Sequence, residues 1–279
     1  SFSFVDLNSN DYTLTLGSGT SDLTVQNEVA IDTTTEGIST GEADIVFLDS
    51  PKISKGHVSS SSGIVDLSLG GQLSGTGELD ITGSTLNLGG DFTKSGGNIT
   101  FSNTNLSVTG DNITLTSDQS LNFVVLNLNY KTLNLGSETS DITVLEPLTI
   151  SSSTEGISSG EADLILNGFI IIDGEGKLQS SGGKISFLGG GRLSGTGLLD
   201  ISGSNWVLGG DFEKRPNSGS ESSGTLTTSE TDLELDNSIT MTTDESVLSF
   251  QNLNLNNYTL TLGSETSDLT IINSITINE

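Results

Sequence analysis

Cysteine is absent from the 279 residues, which excludes disulfide staples, thiolate catalysis and sulfur-ligated metals together. Proline occurs three times, and tryptophan, histidine and methionine once each. With one histidine, metal sites that need two imidazoles cannot form and histidine-based triads are hard to build. Aromatics make up only 5%, too few for a thick aromatic core. Basic residues are scarce as well, with 9 Lys and Arg against 36 Asp and Glu for a net charge of −27. Such a surface repels phosphate backbones and anionic headgroups, so no nucleic acid and no membrane surface is expected as a partner. The longest apolar runs, Phe123–Leu126 and Phe169–Ile172, fall far short of the ~18 residues of a spanning segment, so no membrane insertion is expected in this segment.

What the chain has instead is glycine, at 35 residues, well above the usual ~7% share, together with Ser, Thr, Asn and Asp. Disordered chains share that polarity but lack regularly placed β-branched and leucine residues, which recur throughout here. Long repeats are plain. Leu14–Val25 (LTLGSGTSDLTV) returns as Leu133–Val144 (LNLGSETSDITV) and Leu260–Ile271 (LTLGSETSDLTI). Thr35–Ile38 and Thr154–Ile157 match, each followed by Gly-Glu-Ala-Asp at Gly41–Asp44 and Gly160–Asp163. Leu73–Ile81 matches Leu193–Ile201, Leu88–Phe92 matches Leu208–Phe212, and Thr116–Ser120 answers Thr242–Ser246. The units are 1–120, 121–246 and a partial 247–279. The chain opens at Ser1 without a secretory leader and closes inside a unit, as a piece of a longer array would. Continuation of the same array at both ends is therefore expected.

A finer rhythm lies within each unit. Apolar pairs at i and i+2, the period of a strand, recur in three series. One contains Leu67/Leu69, Leu86/Leu88, Leu106/Val108 and Leu126/Leu128. The second contains Leu73, Phe92, Ile113/Leu115 and Leu133/Leu135. The third contains Leu79/Ile81, Ile99/Phe101, Leu121/Phe123 and Ile142/Val144. Each series steps by about twenty residues, offset from the next by about six or seven. Three short strands per step describe one three-sided coil, and about fourteen such coils at ~4.8 Å would stack to roughly 65 Å. The expected fold is all-β, a three-sided parallel β-solenoid of about 20 residues per coil running as one continuous body over 1–279. A string of β-sandwich modules of about 120 residues fits the long repeat but not the shorter rhythm.

The text Gly71–Leu79 and Gly191–Leu199 (G-x-L-S-G-T-G-x-L), set among these coils, resembles the repeats of filamentous-haemagglutinin-like and autotransporter-type β-helical adhesins of bacterial surfaces. The likeness is one of pattern and covers essentially the whole chain. It implies a right-handed parallel β-helix, secretion to the cell surface or beyond, and a role in presenting a distal binding region. The partners it implies are cell-surface glycans or the surface of a host or neighbouring cell. The chain lacks that family's opening secretion cap and closing membrane barrel.

Several residues have a chemical reading and a structural one. His57 reads as an exposed loop residue rather than an acid–base catalyst. Trp206 could stack on a sugar, but its counterpart Leu86 belongs to an inward series, so a core plug is expected. Asp80 and Asp200, between inward residues, should face solvent, and Asp91 and Asp211 should sit at turns. Asp22, Asp141 and Asp268 should cap turns through their own backbone. Gly70–Leu79 breaks the spacing of calcium-binding nonapeptides, and Ser181–Lys184 matches S-x-x-K only by chance, Ile64 replacing the lysine in the first unit. Sequons at Asn98, Asn105, Asn112 and Asn257 follow from composition. Pairs such as Thr13/Thr15, Thr114/Thr116 and Thr259/Thr261 do not recur on every coil, as an ice-binding ladder requires.

The expectation is therefore a structural solenoid, rigid and acidic, with no catalytic and no cofactor-binding residue. Calcium is the one ion that the carboxylates suit, with no metal ligand assigned. Two alternatives stand beside it. One is a polysaccharide lyase, hydrolase or spike depolymerase with a carboxylate groove on one face; the other is a glycan-, calcium- or ice-binding solenoid.

Overall fold

Alternating inward and outward side chains on short strands, most of three to five residues, leave each coil with a full row of unpaired backbone groups on both edges. Only another coil can satisfy them. The computed structural model shows that solution. It describes all residues except 8–10, 18, 20, 216–222, 245–246, 264–267 and 279, and the side chains of 223 and 247. The described residues form no helix. The fold is a β-solenoid of stacked parallel coils, about 12 turns of about 21 residues. Coils are thus slightly longer and fewer than the twenty-residue rhythm suggested, because corners take up extra residues.

The chain divides into two units, Ser1–Ser140 and Asp141–Glu279. In the first, successive strands visit three faces in rotation. One face stacks Leu23–Val25, Ile45–Phe47, Ile64–Leu67, Thr85–Leu88 and Asn105–Val108. The next stacks Lys52–Ile53, Gly71–Leu73, Phe92–Lys94, Asn112–Thr116 and Thr132–Leu135, and the last Thr13–Thr15, Gly37–Ser39, His57–Ser60, Glu78–Ile81 and Asn98–Thr100. The second unit repeats the pattern. Its faces contain Ile142–Val144 through Asp268–Thr276, Leu148–Ile150 through Leu260–Leu262, and Gly156–Gly160 through Ser223–Thr227.

Register places like on like. Val65, Leu86, Leu106 and Leu126 form one inward column, and Ile113 sits on Leu133. In the second unit Ile142, Leu164, Ile185, Trp206, Leu233 and Leu253 form another. All of these are buried. One assignment from the rhythm fails: Leu69 is 59% exposed, past the end of its strand, and the inward pair there is Val65/Leu67. The run Val-Asp-Leu-Ser-Leu keeps its alternation beyond the point where the chain turns.

The turn that follows needs glycine. Gly70 has φ +82°, and a Cβ there would collide with the Asp91 backbone on the next coil. Gly190 repeats this at φ +78° against Asp211. Where a corner uses asparagine, its side chain fastens it. Asn129, at φ +49°, donates through Nδ2 to Ser107 Oγ (2.8 Å) and to the Val108 carbonyl (3.0 Å). Asn256, at φ +45°, donates likewise to Glu234 Oε1 (2.8 Å) and the Leu235 carbonyl (3.1 Å).

The long repeat does not close on the three-sided coil. Among the described residues, Thr132–Leu135 is the seventeenth strand after Thr13–Thr15, and seventeen is not a multiple of three. Accordingly the first copy of the repeated text lies on the face of Gly37–Ser39, and the second lies on the face of Asn112–Thr116. Copies of one motif are therefore not six whole coils apart, and they do not share a side of the first unit.

Replacing Leu106, which is wholly buried, with Asp should cost several kcal/mol, because the carboxylate would be enclosed without a partner. Asp at neighbouring Ser107 should change stability by less than about 0.5 kcal/mol. Equal melting shifts for the two variants would contradict the inward and outward assignment.

Candidate functional site

The repeated carboxylates are the first candidates for chemistry, and their geometry spends them on backbone. Asp44 accepts the Ile64 N–H (2.7 Å), and Asp22 accepts that of Asp44 (3.4 Å). In the second unit Asp163 accepts the Lys184 N–H (2.7 Å) and Asp141 that of Asp163 (2.9 Å). Asp91 and Asp211, at turns as expected, take the N–H of Thr114 (2.7 Å) and Thr240 (2.6 Å). Each acceptor thus serves a strand one coil away. That corrects the expectation for Asp22 and Asp141, which cap the neighbouring coil rather than their own turn. Asp268 is exposed.

Two further carboxylates emerge that residue type alone did not single out. Glu36 and Glu155, from the repeated T-E-G-I text, are each 8% exposed. Glu36 Oε2 accepts the N–H of Asp32 (3.0 Å) and Thr33 (3.3 Å), and Glu155 Oε2 that of Ser151 (2.8 Å). Both close a tight corner from within. Their repetition was the available signal.

The outward candidates do not converge. Asp80 is exposed and accepts from Thr82 Oγ1 (2.7 Å); half-buried Asp200 accepts from Ser202 Oγ (2.7 Å). His57 is not in an exposed loop. It is the half-buried first residue of a strand, between Gly37 and Glu78 on adjacent coils, and its imidazole fills the place where Gly37 has no side chain. Lys177 pairs with Gly156 in the same register, although there its carbonyl and Cβ, not the end of its side chain, lie nearest the glycine. The text shift between the units hid that the two positions are equivalent. Ser181–Lys184 forms a turn that leads into a strand, and both Lys184 and its counterpart Ile64 donate an N–H to a capping aspartate. The threonine pairs do not build a ladder: Thr13 and Thr15 neighbour Gly37 and Ser39, and Thr114 neighbours Asn134. Of the sequon residues, Asn98 and Asn112 are exposed, Asn105 is half-buried, and Asn257 is at a corner with φ +68°. Parts of the repeated texts, at 18, 20, 245–246 and 264–267, lie outside the described residues.

Trp206 is fully enclosed, its ring edge-on to Phe212 (centroids 4.9 Å) and Phe187 (5.8 Å), so it is a core plug and not a sugar platform. More unexpected are two lysines at inward positions. Lys94 stacks under Leu73 and Lys214 under Leu193, 3% and 4% exposed. Each ammonium is paired with an aspartate from a following coil, Lys94 with Asp118 and Lys214 with Asp244. On the surface Lys131 pairs with Asp111, and the hydrogen bond and charge of Lys131 hold the Asp111 carboxyl below its ordinary value. That pair therefore weakens as pH falls through the depressed value.

Among the described residues, no three His, Asp or Glu lie close enough to hold a metal ion. No family model matches the chain, nor does any curated protein or solved structure. The geometry of the side chains is therefore what a functional reading must rest on. Of the repeated acids, Asp22/Asp141, Asp44/Asp163 and Asp91/Asp211 tie one coil to the next and Glu36/Glu155 close corners, while Asp80 and Asp200 accept from hydroxyls of their own coil.

Asp118→Ala should destabilise the protein by about 1–3 kcal/mol, less than a wholly enclosed pair because Asp118 is half in water. The double variant with Lys94→Met should recover most of that loss in thermal melts, since no ammonium is then stranded. A double variant no better than the single one would contradict the pairing. Calorimetric titration with calcium should show no heat and no rise in melting temperature, because the carboxylates that recur are already bonded to backbone N–H groups.

Proposed function

We propose that the chain is a structural β-solenoid segment of a large extracellular or cell-surface adhesin, serving as a rigid stalk or spacer. Its outer faces would present an acidic surface toward glycans or a neighbouring cell. The reading is supported above all by one observation. The motifs that recur in both long repeats, including Asp44/Asp163, Asp91/Asp211, Glu36/Glu155 and Lys94/Lys214, are engaged in bonds that fasten coils or corners. Sequence that is duplicated and turned inward or onto neighbouring backbone serves stiffness more directly than catalysis. The pattern-level likeness to haemagglutinin-type repeats points the same way.

Pulling the purified chain by its ends in a force spectrometer tests the stalk. Resistance should appear as discrete unfolding peaks well above the stretching of an unfolded chain, and smooth extension with no peaks would overturn the reading. Incubation with a panel of acidic and neutral polysaccharides should release no new reducing ends and no unsaturated product. Release of either would replace the structural reading with the enzymatic one.

A further inference from the structure

The opening strand repeats a text found twice more. Phe2-Ser-Phe-Val-Asp-Leu-Asn corresponds to Leu121-Asn-Phe-Val-Val-Leu-Asn and to Leu248-Ser-Phe-Gln-Asn-Leu-Asn. Its pairing to the following coil is also reproduced: Phe2 faces Leu23 and Phe4 faces Val25, as Leu248 faces Leu269 and Phe250 faces Ile271. The other side differs. Leu121, Phe123, Leu248 and Phe250 are at most 2% exposed, whereas Phe2 is 55% and Phe4 42% exposed. Beside them opens an apolar cavity of about 320 Å³ lined by Phe2, Phe4, Leu14, Leu16 and Leu23.

What covers the two internal copies is the same in both units. In the first, Ser102-Asn-Thr-Asn-Leu106 lies beneath: Val124 N–H donates to the Thr104 carbonyl (2.8 Å), Leu106 pairs with Leu126, and Phe101 meets Phe123 at 5.2 Å between centroids. In the second, Ser229-Glu-Thr-Asp-Leu233 does so: Gln251 N–H donates to the Thr231 carbonyl (2.8 Å) and Leu233 pairs with Leu253. Thr104 and Thr231 each turn their hydroxyl back to the carbonyl of the coil before, at Ile81 and Ile201. Resting on the reading of the chain as a structural solenoid, we propose that the edge formed by Phe2, Phe4 and Leu7 docks a β-coil carrying Ser-(Asn/Glu)-Thr-(Asn/Asp)-Leu. Its threonine carbonyl receives the Val5 N–H and its leucine covers Leu7. Addition of a strand to an open sheet edge supplies backbone bonds, and the apolar cavity sets the register. A second copy of this chain has no such coil to offer, because both of its motifs are sealed under their own following coils, with Thr104 and Thr231 wholly buried.

The experiment appends a donor coil ahead of Ser1 in the full chain, using residues 78–119 in one fusion and 205–246 in another, which preserve the spacing of the internal junctions. Hydrogen exchange at Val5 should slow at least about a hundredfold, and binding of an apolar fluorescent dye should fall. The 78–119 fusion with Asp at the added copy of Leu106 should lose the protection. Unchanged exchange in both fusions, or failure of both to fold, would overturn the proposal. So would concentration-dependent association of the unfused chain that Phe4→Asp abolishes, which would make a second copy the occupant. Protected fusions that nevertheless cleave polysaccharide would sink the stalk reading and leave the docking edge standing.

Discussion

A coil of about 21 residues with three short strands cannot pair those strands with one another, and the whole structure depends on that. Each strand takes its partners from the coil before and the coil after, in parallel and in register, so that stability is a property of neighbours. The inward columns follow from it: once backbone pairing fixes the stacking, residues at one step of the alternation must meet, and the chain makes them Val, Leu, Ile and Phe. The corners follow too, since a fixed spacing between coils leaves no room for a Cβ at Gly70 or Gly190.

The same dependence accounts for the polar residues. Strand starts next to a corner lack a regular partner for their N–H groups, and aspartates one coil away supply it, as Asp44 does for Ile64 and Asp163 for Lys184. Asparagines fasten corners, and glutamates close them from inside. A large net negative charge need not then imply a binding groove, because much of the acidic side-chain chemistry is turned onto backbone donors. The inward lysines are the costly exception. Each has to be met by an aspartate, and that requirement ties together segments 24 and 30 residues apart.

How much of this was legible in the sequence depends on the range over which each feature acts. The stacked coils, the inward series and the burial of Trp206 act at i and i+2 or at the coil repeat, and both periods are written in the residues. Leu69 was misplaced because alternation continues in the text after the strand has ended. The partner of Asp22 needs the register between coils, 22 residues on, which a rhythm of about twenty does not resolve. Lys94 and Lys214 were invisible by residue type, since lysine reads as outward. The signal lay in Asp-Phe-x-Lys recurring alongside the repeated Thr-x-Asp text that supplies their partners. Likewise His57 and Lys177 share a position over a glycine, yet their neighbourhoods differ enough in text to conceal it.

The mismatch between seventeen strands and three sides has a consequence for how such a surface evolves. Within the first unit the duplicated Leu-x-Leu-Gly-Ser text enters on a different face at its second appearance, so copying can preserve the bonds between coils without preserving the side on which a motif is shown.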